Sequence, residues 1–255
     1  MHVPWIRSDD SALPPAASAL GDDSEAPGLV AIGGRLTPRR LEEAYSKGLF
    51  PWFSDEQPVL WWSPDPRMVL RPADLRITRS FRKTLRRFAH TAGCEIRVDH
   101  DLPGVLRACA GARRPGQSGT WIVPEMIDAY AEWHRRGAVH SVETWIDGRR
   151  VGGLYGVNLG RMFFGESMFA LQADASKIAL AALVALCREH GIEMIDCQQV
   201  TAHLASLGAR PLPRAQFLAH LELAVAQPAP RDWSYHDRYW AHVVADGPVP
   251  AEGAP

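Results

Sequence analysis

Hydrophobic and polar positions along the chain fall into a legible series of strand and helix periods. The first apolar run, Gly28-Leu29-Val30-Ala31-Ile32-Gly33-Gly34, predicts a short strand closed by a double glycine. A helix follows, with Thr37 as N-cap, Pro38 at N1, Leu41, Ala44 and Tyr45 at apolar spacing, and Gly48 as the stop. Leu49-Phe50-Pro51-Trp52-Phe53-Ser54 and Leu60-Trp61-Trp62-Ser63-Pro64-Asp65-Pro66-Arg67 set aromatics among prolines, which excludes one regular element. Such a knot either packs a small domain or lines a pocket. Met68-Val69-Leu70 predicts a strand, and residues 80–88 a serine-capped amphipathic helix. Phe81, Leu85 and Phe88 share one face of that helix, and Arg82, Lys83, Arg86 and Arg87 lie across the other. A strand at 94–98, a helix at 102–109, a mobile basic loop at 111–119 with Arg113 and Arg114, and a helix at 124–136 stopped by Gly137 come next.

The second half reads as a meander and a crossover. Residues 140–146 alternate, Asp147-Gly148 is a strong hairpin signal, 151–159 return, and Asn158-Leu159-Gly160-Arg161 turns into Met162-Phe163-Phe164-Gly165-Glu166-Ser167-Met168. A helix capped at Asp174 or Ser176 runs to His190 with Ile178, Leu183, Leu186 and Cys187 inward, and Gly191 closes it. The strand at 193–198 follows at once, so a right-handed crossover should set it parallel to its partner. Helices at 201–207 and 213–226 complete the pattern. Residues 1–27 read as a flexible leader that docks onto the body, and the end of the chain, after Trp233, Tyr235, Tyr239 and Trp240, as a disordered proline-rich tail. The expected division is a leader at 1–27, a small N-terminal domain at 28–79, a larger domain at 80–240 and a tail at 241–255. The fold class is α/β (α+β), and the order meander, helix, parallel strand is the layout of the acetyltransferase-like fold.

Composition narrows the function classes. The chain has 255 residues, 46% hydrophobic and 22% charged, enough for one large domain or a small and a larger one. No apolar run approaches the roughly 18 residues of a membrane span, and no basic segment followed by an apolar stretch opens the chain. Four scattered cysteines without a C-x-x-C pair suggest reduced thiols in a cytoplasmic protein. The net charge of −1 rules out a uniformly basic nucleic-acid binder. A local field remains: Arg71, Arg76, Arg79, Arg82, Lys83, Arg86 and Arg87 fall within seventeen residues whose sole acid is Asp74. That field is either a solvated face or a surface for phosphate backbones.

Candidate chemistry concentrates at Met194-Ile195-Asp196-Cys197-Gln198. Strand alternation puts Asp196 and Gln198 on one face with Cys197 opposite, at a strand end fed by a helix, where α/β proteins often place sites. Glu166-Ser167, in an otherwise apolar strand beside Gly165, is either a satisfied buried network or part of the same site. Gly165-Glu166-Ser167 lacks the second glycine of a nucleophile elbow. Cys187, His190, Cys197 and His203 fit no zinc spacing, and no phosphate-binding glycine motif follows a strand. Residues 169–176 contain no glycine, so a coenzyme A pyrophosphate turn is missing.

Longer motifs carry a resemblance. Gly28 to Gly34, Gly48-Leu-Phe-Pro-Trp-Phe-Ser54, Leu60-Trp-Trp-Ser-Pro-Asp-Pro-Arg67, Gly119-Thr-Trp-Ile122, His140-Ser-Val-Glu143, Val151-Gly-Gly-Leu-Tyr-Gly-Val157, Gly165-Glu-Ser-Met-Phe169, Ile195-Asp-Cys-Gln198 and His203-Leu-Ala-Ser-Leu-Gly-Ala209 occur in the order found in the leucyl/phenylalanyl-tRNA–protein transferase family, which the chain resembles from about residue 28 to 226. The resemblance implies a small N-terminal domain, an acetyltransferase-like (GNAT-like) mixed-sheet domain, and transfer of Leu, Phe or Met from aminoacyl-tRNA to the N-terminal Arg or Lys of acceptor proteins, which marks them for N-degron degradation. No cofactor and no membrane partner are implied, and a monomer is expected. It implies Asp196 and Gln198 as the catalytic pair, Trp52, Trp121, Tyr130, Leu154, Phe163 and Leu183 as the aminoacyl and adenosine pocket, and Glu166 with Asp196 as the receiver of the acceptor's basic side chain. Arg82, Lys83, Arg86 and Arg87 would hold the acceptor stem. At Leu154 the family also uses Met, and at Leu183 also Phe. Two other readings are a peptidoglycan-type aminoacyl-tRNA ligase, for which the chain is short, and a non-enzymatic RNA-binding module, which leaves the Asp196–Gln198 pair unexplained.

Overall fold

The computed structural model describes residues 3–8, 10–112 and 120–244. Arg113, Arg114 and Gly119 of the expected basic loop, and the tail beyond residue 244, lie outside the described residues. In chain order the elements are β1 (Trp5–Ile6), β2 (Leu29–Gly33), α1 (Pro38–Ser46), β3 (Phe50–Pro51), β4 (Leu60–Trp62), β5 (Arg67–Leu70), α2 (Arg79–His90), β6 (Cys94–Val98), α3 (Leu102–Ala110) and α4 (Pro124–His134). They continue with β7 (Val139–Ile146), β8 (Arg149–Leu159), β9 (Met162–Ala170), α5 (Ala175–His190), β10 (Met194–Gln198), α6 (Ala202–Ser206), β11 (Arg210–Leu212), α7 (Arg214–Val225) and α8 (Ala241–Val244).

Local chemistry explains most boundaries. Thr37 Oγ1 accepts the Arg40 N–H at 3.2 Å and Pro38 opens α1. Asp147 and Gly148 both take positive φ, as a two-residue hairpin of this hand requires. One cap differs from expectation. Thr78, not Ser80, caps α2, because its Oγ1 accepts the Phe81 N–H at 3.2 Å and the helix already begins at Arg79.

The strands form two sheets. A four-stranded sheet has the order β1-β2-β4-β3, and a seven-stranded sheet the order β11-β5-β10-β9-β8-β7-β6. β10 runs parallel to β9, as the crossover through α5 demands, and every other recorded pairing in the larger sheet is antiparallel. Meander, crossover helix and parallel strand are thus all present in a mixed α/β sheet. β5 adjoins β4 in sequence but is hydrogen bonded between β11 and β10 in the large sheet. Within the expected leader, Trp5 and Ile6 pair in parallel with β2, and the buried Leu13 donates its N–H to Glu43 Oε1 on α1 at 2.8 Å. A two-residue strand is too short to show alternation, which is why the pattern alone does not reveal it. No helix among the described residues is long and apolar enough to cross a membrane.

Apolar side chains sort to the two faces of the large sheet. Tyr155, Phe164 and Met194 join a cluster with α1, α3, α4 and the small sheet. Their neighbours Leu154, Phe163 and Ile195 join α5, α2 and the aromatic C-terminal segment on the other face. α5 is buried nearly all round, including an unbroken run from Ile178 to Cys187, and serves as the core helix of that layer. Gly156 shows how tight the sheet is. A Cβ there would stand 2.3 Å from the Phe164 carbonyl oxygen and 2.4 Å from Phe163 Cε1. Gly156→Ala should therefore cost about 2 kcal/mol and lower the melting temperature by roughly 4–8 °C. Thermal melts of the two proteins check this, and an unchanged midpoint would show that the neighbouring backbone yields freely.

Candidate active site

β9 and β10 keep parallel register only from Met194 opposite Met162 to Asp196 opposite Phe164. Beyond that rung each strand carries an irregularity. On β9, Tyr155 faces Ser167 and Gly156 faces Gly165, so Glu166 is the extra residue with no partner across the ladder. On β10, Asp196 faces Val69 and Gln198 faces Met68, which leaves Cys197 over, and Gln198 takes φ +63°. Bulges redirect side chains and end pairing, and a left-handed glutamine costs free energy that the surroundings must supply. The two strands open into a fork. A cavity of about 1090 Å³ occupies it, bounded by Glu166 and Gln198 on the walls, Trp52 and Trp121 on the side of the small sheet, and Leu154, Leu183 and Ile195 toward α5.

Behind this cavity lies a buried ion pair. Arg67 Nε and Nη2 donate to Asp196 Oδ1 and Oδ2 at 2.8 and 2.7 Å, and both side chains are fully buried. Arg67 Nη1 donates to the Gly48 carbonyl at 3.1 Å, and the guanidinium lies over the rings of Phe50 and Phe217 at 4.8 and 4.6 Å. Each guanidinium nitrogen donates once, both carboxylate oxygens accept, and two aromatic faces cover the cation, which together make the buried charge tolerable. Asp196 Oδ1 also accepts the backbone N–H of Gln198 at 2.9 Å, so the pair fixes the turn that aims the Gln198 side chain.

Gln198 in turn meets Glu166, its Nε2 donating to Oε1 at 3.0 Å. Tyr45 from α1 donates to the same oxygen at 2.7 Å, Tyr130 from α4 reaches Oε2 at 3.2 Å, and the two tyrosine hydroxyls touch at 2.5 Å. Three oxygen–oxygen contacts link Tyr45, Tyr130 and Glu166, while two hydroxyl protons are available to fill them. With Glu166 ionised, Tyr130 donates to Oε2; a proton on Oε2 reverses that bond and closes the ring, with Glu166 donating to Tyr130, Tyr130 to Tyr45, and Tyr45 back to Glu166. Electrostatics favours the same state. Burial pushes the Glu166 carboxyl up to about 7, and the Asp196 charge adds to this, against the opposing donors Tyr45, Tyr130 and Gln198. Burial and the neighbouring Glu166 charge push both tyrosine hydroxyls well above their ordinary range, so they stay protonated.

The residues singled out from the sequence divide accordingly. Trp52, Trp121, Leu154, Leu183, Glu166 and Gln198 line the cavity. Asp196 lies behind it on Arg67, and Tyr130 lies behind it on Glu166. Phe163, expected in the same pocket, lies outside the cavity lining although it shares the layer of Leu154, Leu183 and Ile195; it sits in the regularly paired part of β9, opposite Ile195, fully buried and 5.7 Å from Trp233. Arg82, Lys83, Arg86 and Arg87 sit on α2, away from the cavity lining. Lys83, Arg86 and Arg87 are exposed, Arg82 is half-buried, and Arg86 Nη2 donates to the Val244 carbonyl at 3.3 Å. Cys187 is packed in the core, whereas Cys197 is half-buried and borders the cavity; burial raises both thiols far above their ordinary range. Among the described residues no three His, Cys, Asp or Glu side chains converge as a metal site. Tyr45 and Arg67 hold Glu166 and Asp196 in this network, and the pattern does not single them out. Arg67 left a signal: alternation places it on the face of buried Val69, where a charge requires a partner.

Glu166 makes a testable link between protons and stability. Its folded pKa of about 7 exceeds the ordinary 4.5, so between those values the folded state holds a proton that the unfolded chain has released. The resulting stabilisation is complete below the unfolded pKa and is lost as pH rises through 7, on the order of 3 kcal/mol in all. Glu166→Gln keeps the neutral ring without a titrating proton. Melts from pH 5 to 8 should show the wild type losing stability relative to the variant, and parallel curves would contradict the assignment.

Comparisons with known proteins identify the family. Residues 69–222 match the family described as leucyl/phenylalanyl-tRNA protein transferase, and residues 34–65 match its N-terminal domain. A leucyl/phenylalanyl-tRNA–protein transferase of Methylibium petroleiphilum is 61% identical over 98% of this chain and 95% of its own length. One of Leptothrix cholodnii is 58% identical over 96% and 97%, and one of Burkholderia pseudomallei 61% identical over 92% of each. Among solved structures, a GCN5-related N-acetyltransferase from Kribbella flavida is 14% identical with a TM-score of 0.32, over 67% of this chain and 59% of that one. The chain belongs to the leucyl/phenylalanyl-tRNA–protein transferase family of aminoacyltransferases.

Proposed function

We propose that this chain moves leucyl, phenylalanyl or methionyl groups from aminoacyl-tRNA to the α-amino group of an N-terminal Arg or Lys on acceptor proteins, which marks them for degradation in the cytoplasm. The observation that carries this reading is the two-ended cavity in the fork. Leu154, Leu183 and Ile195 offer an aliphatic end for an unbranched-β apolar side chain, and Glu166 and Gln198 offer a polar wall beside it. Trp52 and Trp121 stand where a terminal adenine would stack. The cations of α2, Arg82, Lys83, Arg86 and Arg87, would hold acceptor-stem phosphates without reading sequence.

The chemistry is aminolysis of an ester. The acceptor nitrogen attacks the carbonyl carbon, a tetrahedral oxyanion forms, the bond to the ribose oxygen breaks, and the amine proton ends on that oxygen. Gln198 spends its Nε2 on Glu166, which leaves its Oε1 to accept an N–H of the attacking amine and fix its approach. Asp196 has both oxygens committed to Arg67, so it acts by holding the Gln198 turn rather than by taking the proton. Glu166 is the carboxyl that reaches the cavity. An arriving guanidinium or ammonium favours its ionised form, so binding a basic acceptor residue would release the Glu166 proton. Asp196 contributes field, not contact, to that recognition. The enzyme works as a monomer in this reading and needs no cofactor.

Incubation with labelled Leu-tRNA and an Arg-starting peptide tests the proposal, with transfer of label to the peptide as the expected result. Gln198→Ala should lower that rate by about 10²-fold while leaving affinity for Leu-tRNA close to wild type, the signature of lost positioning. Wild-type protein that binds Leu-tRNA without transfer, or a Gln198→Ala variant with full turnover, would contradict it.

A further inference from the structure

A second cavity, of about 450 Å³, lies on the four-stranded sheet, lined by Trp5, Arg7, Gly33, Gly34, Arg35 and Val59 among others. Trp5 is 57% exposed although its strand neighbour Ile6 is buried, so β1 turns a large ring outward over this groove. The indole lies close on the backbone: a Cβ at Gly33 would stand 3.0 Å from Trp5 Nε1. Gly33 and Gly34 both take positive φ and carry no side chain, so backbone forms the groove floor, with the Gly33 N–H donating to the Val59 carbonyl at 2.7 Å and its carbonyl accepting from Trp61 Nε1 at 2.9 Å. Arg7 and Arg35 are exposed, and neither side chain has a hydrogen bond or ion pair among the described residues. Among the described residues no carboxylate lines the groove. Asp10, Asp55 and Glu56 stand in the adjoining loops.

The sheet register connects this groove to the fork. Trp5 faces Ile32, Ile32 faces Leu60, and the Leu60 carbonyl accepts the Trp52 N–H at 3.0 Å. One cross-strand row therefore runs from Trp5 to Trp52, which lines the large cavity. Three strand spacings of about 4.8 Å put the ends of that row roughly 14 Å apart. A stacked nucleic-acid strand, rising about 3.4 Å per nucleotide, covers that span in about four nucleotides.

We propose that the groove binds the single-stranded nucleotides that precede the aminoacylated adenosine of the donor tRNA. Trp5 stacks a base there, and Arg7 and Arg35 neutralise phosphates, the pairing of an aromatic platform with flanking cations that sequence-tolerant single-strand binding requires. The inference rests on the reading that the fork cavity holds the aminoacyl-adenosine. An acidic protein segment would use the two arginines but leave the exposed indole unexplained.

The test compares two donors, full Leu-tRNA and the leucyl ester of adenosine, in wild-type protein, an Arg7→Glu/Arg35→Glu double variant and Trp5→Ala. For both variants kcat/KM on Leu-tRNA should fall about tenfold or more relative to that on the leucyl ester, through KM. For the double variant the slope of log KM against log salt should shrink by about 1.4, at about 0.7 per single-strand phosphate contact. Equal losses on both donors, no loss on Leu-tRNA, or a loss confined to the KM of the acceptor protein would overturn the groove assignment. Wild-type protein inactive with both donors would overturn the transfer reading and the groove's occupant with it.

Discussion

Arg67 and Asp196 form the interaction on which the site depends. A fully buried, two-point ion pair adds little to stability compared with an apolar replacement of both partners. Removing either partner alone is costly, because it strands a charge where water cannot reach. The pair therefore works chiefly as a geometric constraint. It joins β5 to β10, reaches the end of α1 through the Gly48 carbonyl, and packs between Phe50 of the small sheet and Phe217 of α7. Through the Gln198 N–H it also fixes a left-handed residue at the strand end.

From that constraint a chain of contacts leads outward. Asp196 sets the Gln198 turn, Gln198 donates to Glu166, and Glu166 is closed from behind by Tyr45 of α1 and Tyr130 of α4. The small sheet and α1 are thus not an appendage, because Tyr45 supplies a member of the ring that sets the Glu166 proton. The fork between β9 and β10 exists because both strands depart from regular pairing just past the Asp196–Phe164 rung. Regular ladders would have filled the space that the proposed donor needs. Polar and aliphatic ends meet there because adjacent residues of the same strands face opposite layers.

Much of the fold is legible in the sequence because it is locally specified. Thr37 and Pro38 define the start of α1, Asp147-Gly148 the hairpin, and the short link between α5 and β10 the parallel pairing. The site is legible in part, since Glu166, Gln198, Trp52, Trp121, Leu154 and Leu183 do meet in one cavity. What pattern does not provide is long-range pairing. Nothing local brings Arg67 to a residue 129 positions away, or Tyr45 to one 121 positions away. Phe163 shows the converse limit. It shares its face with the lining residues Leu154 and Ile195, but it lies where β9 and β10 are still regularly paired, before the fork opens, and alternation alone does not tell the two positions apart.

The most direct measurement of the central claim is a crystal structure with a non-hydrolysable leucyl-adenosine analogue. The expected result is the leucyl side chain against Leu154, Leu183 and Ile195, its carbonyl carbon within reach of an amine held on Gln198 Oε1, and the Arg67–Asp196 pair undisturbed. An analogue bound elsewhere, or bound in the fork with its side chain toward Glu166, would contradict it.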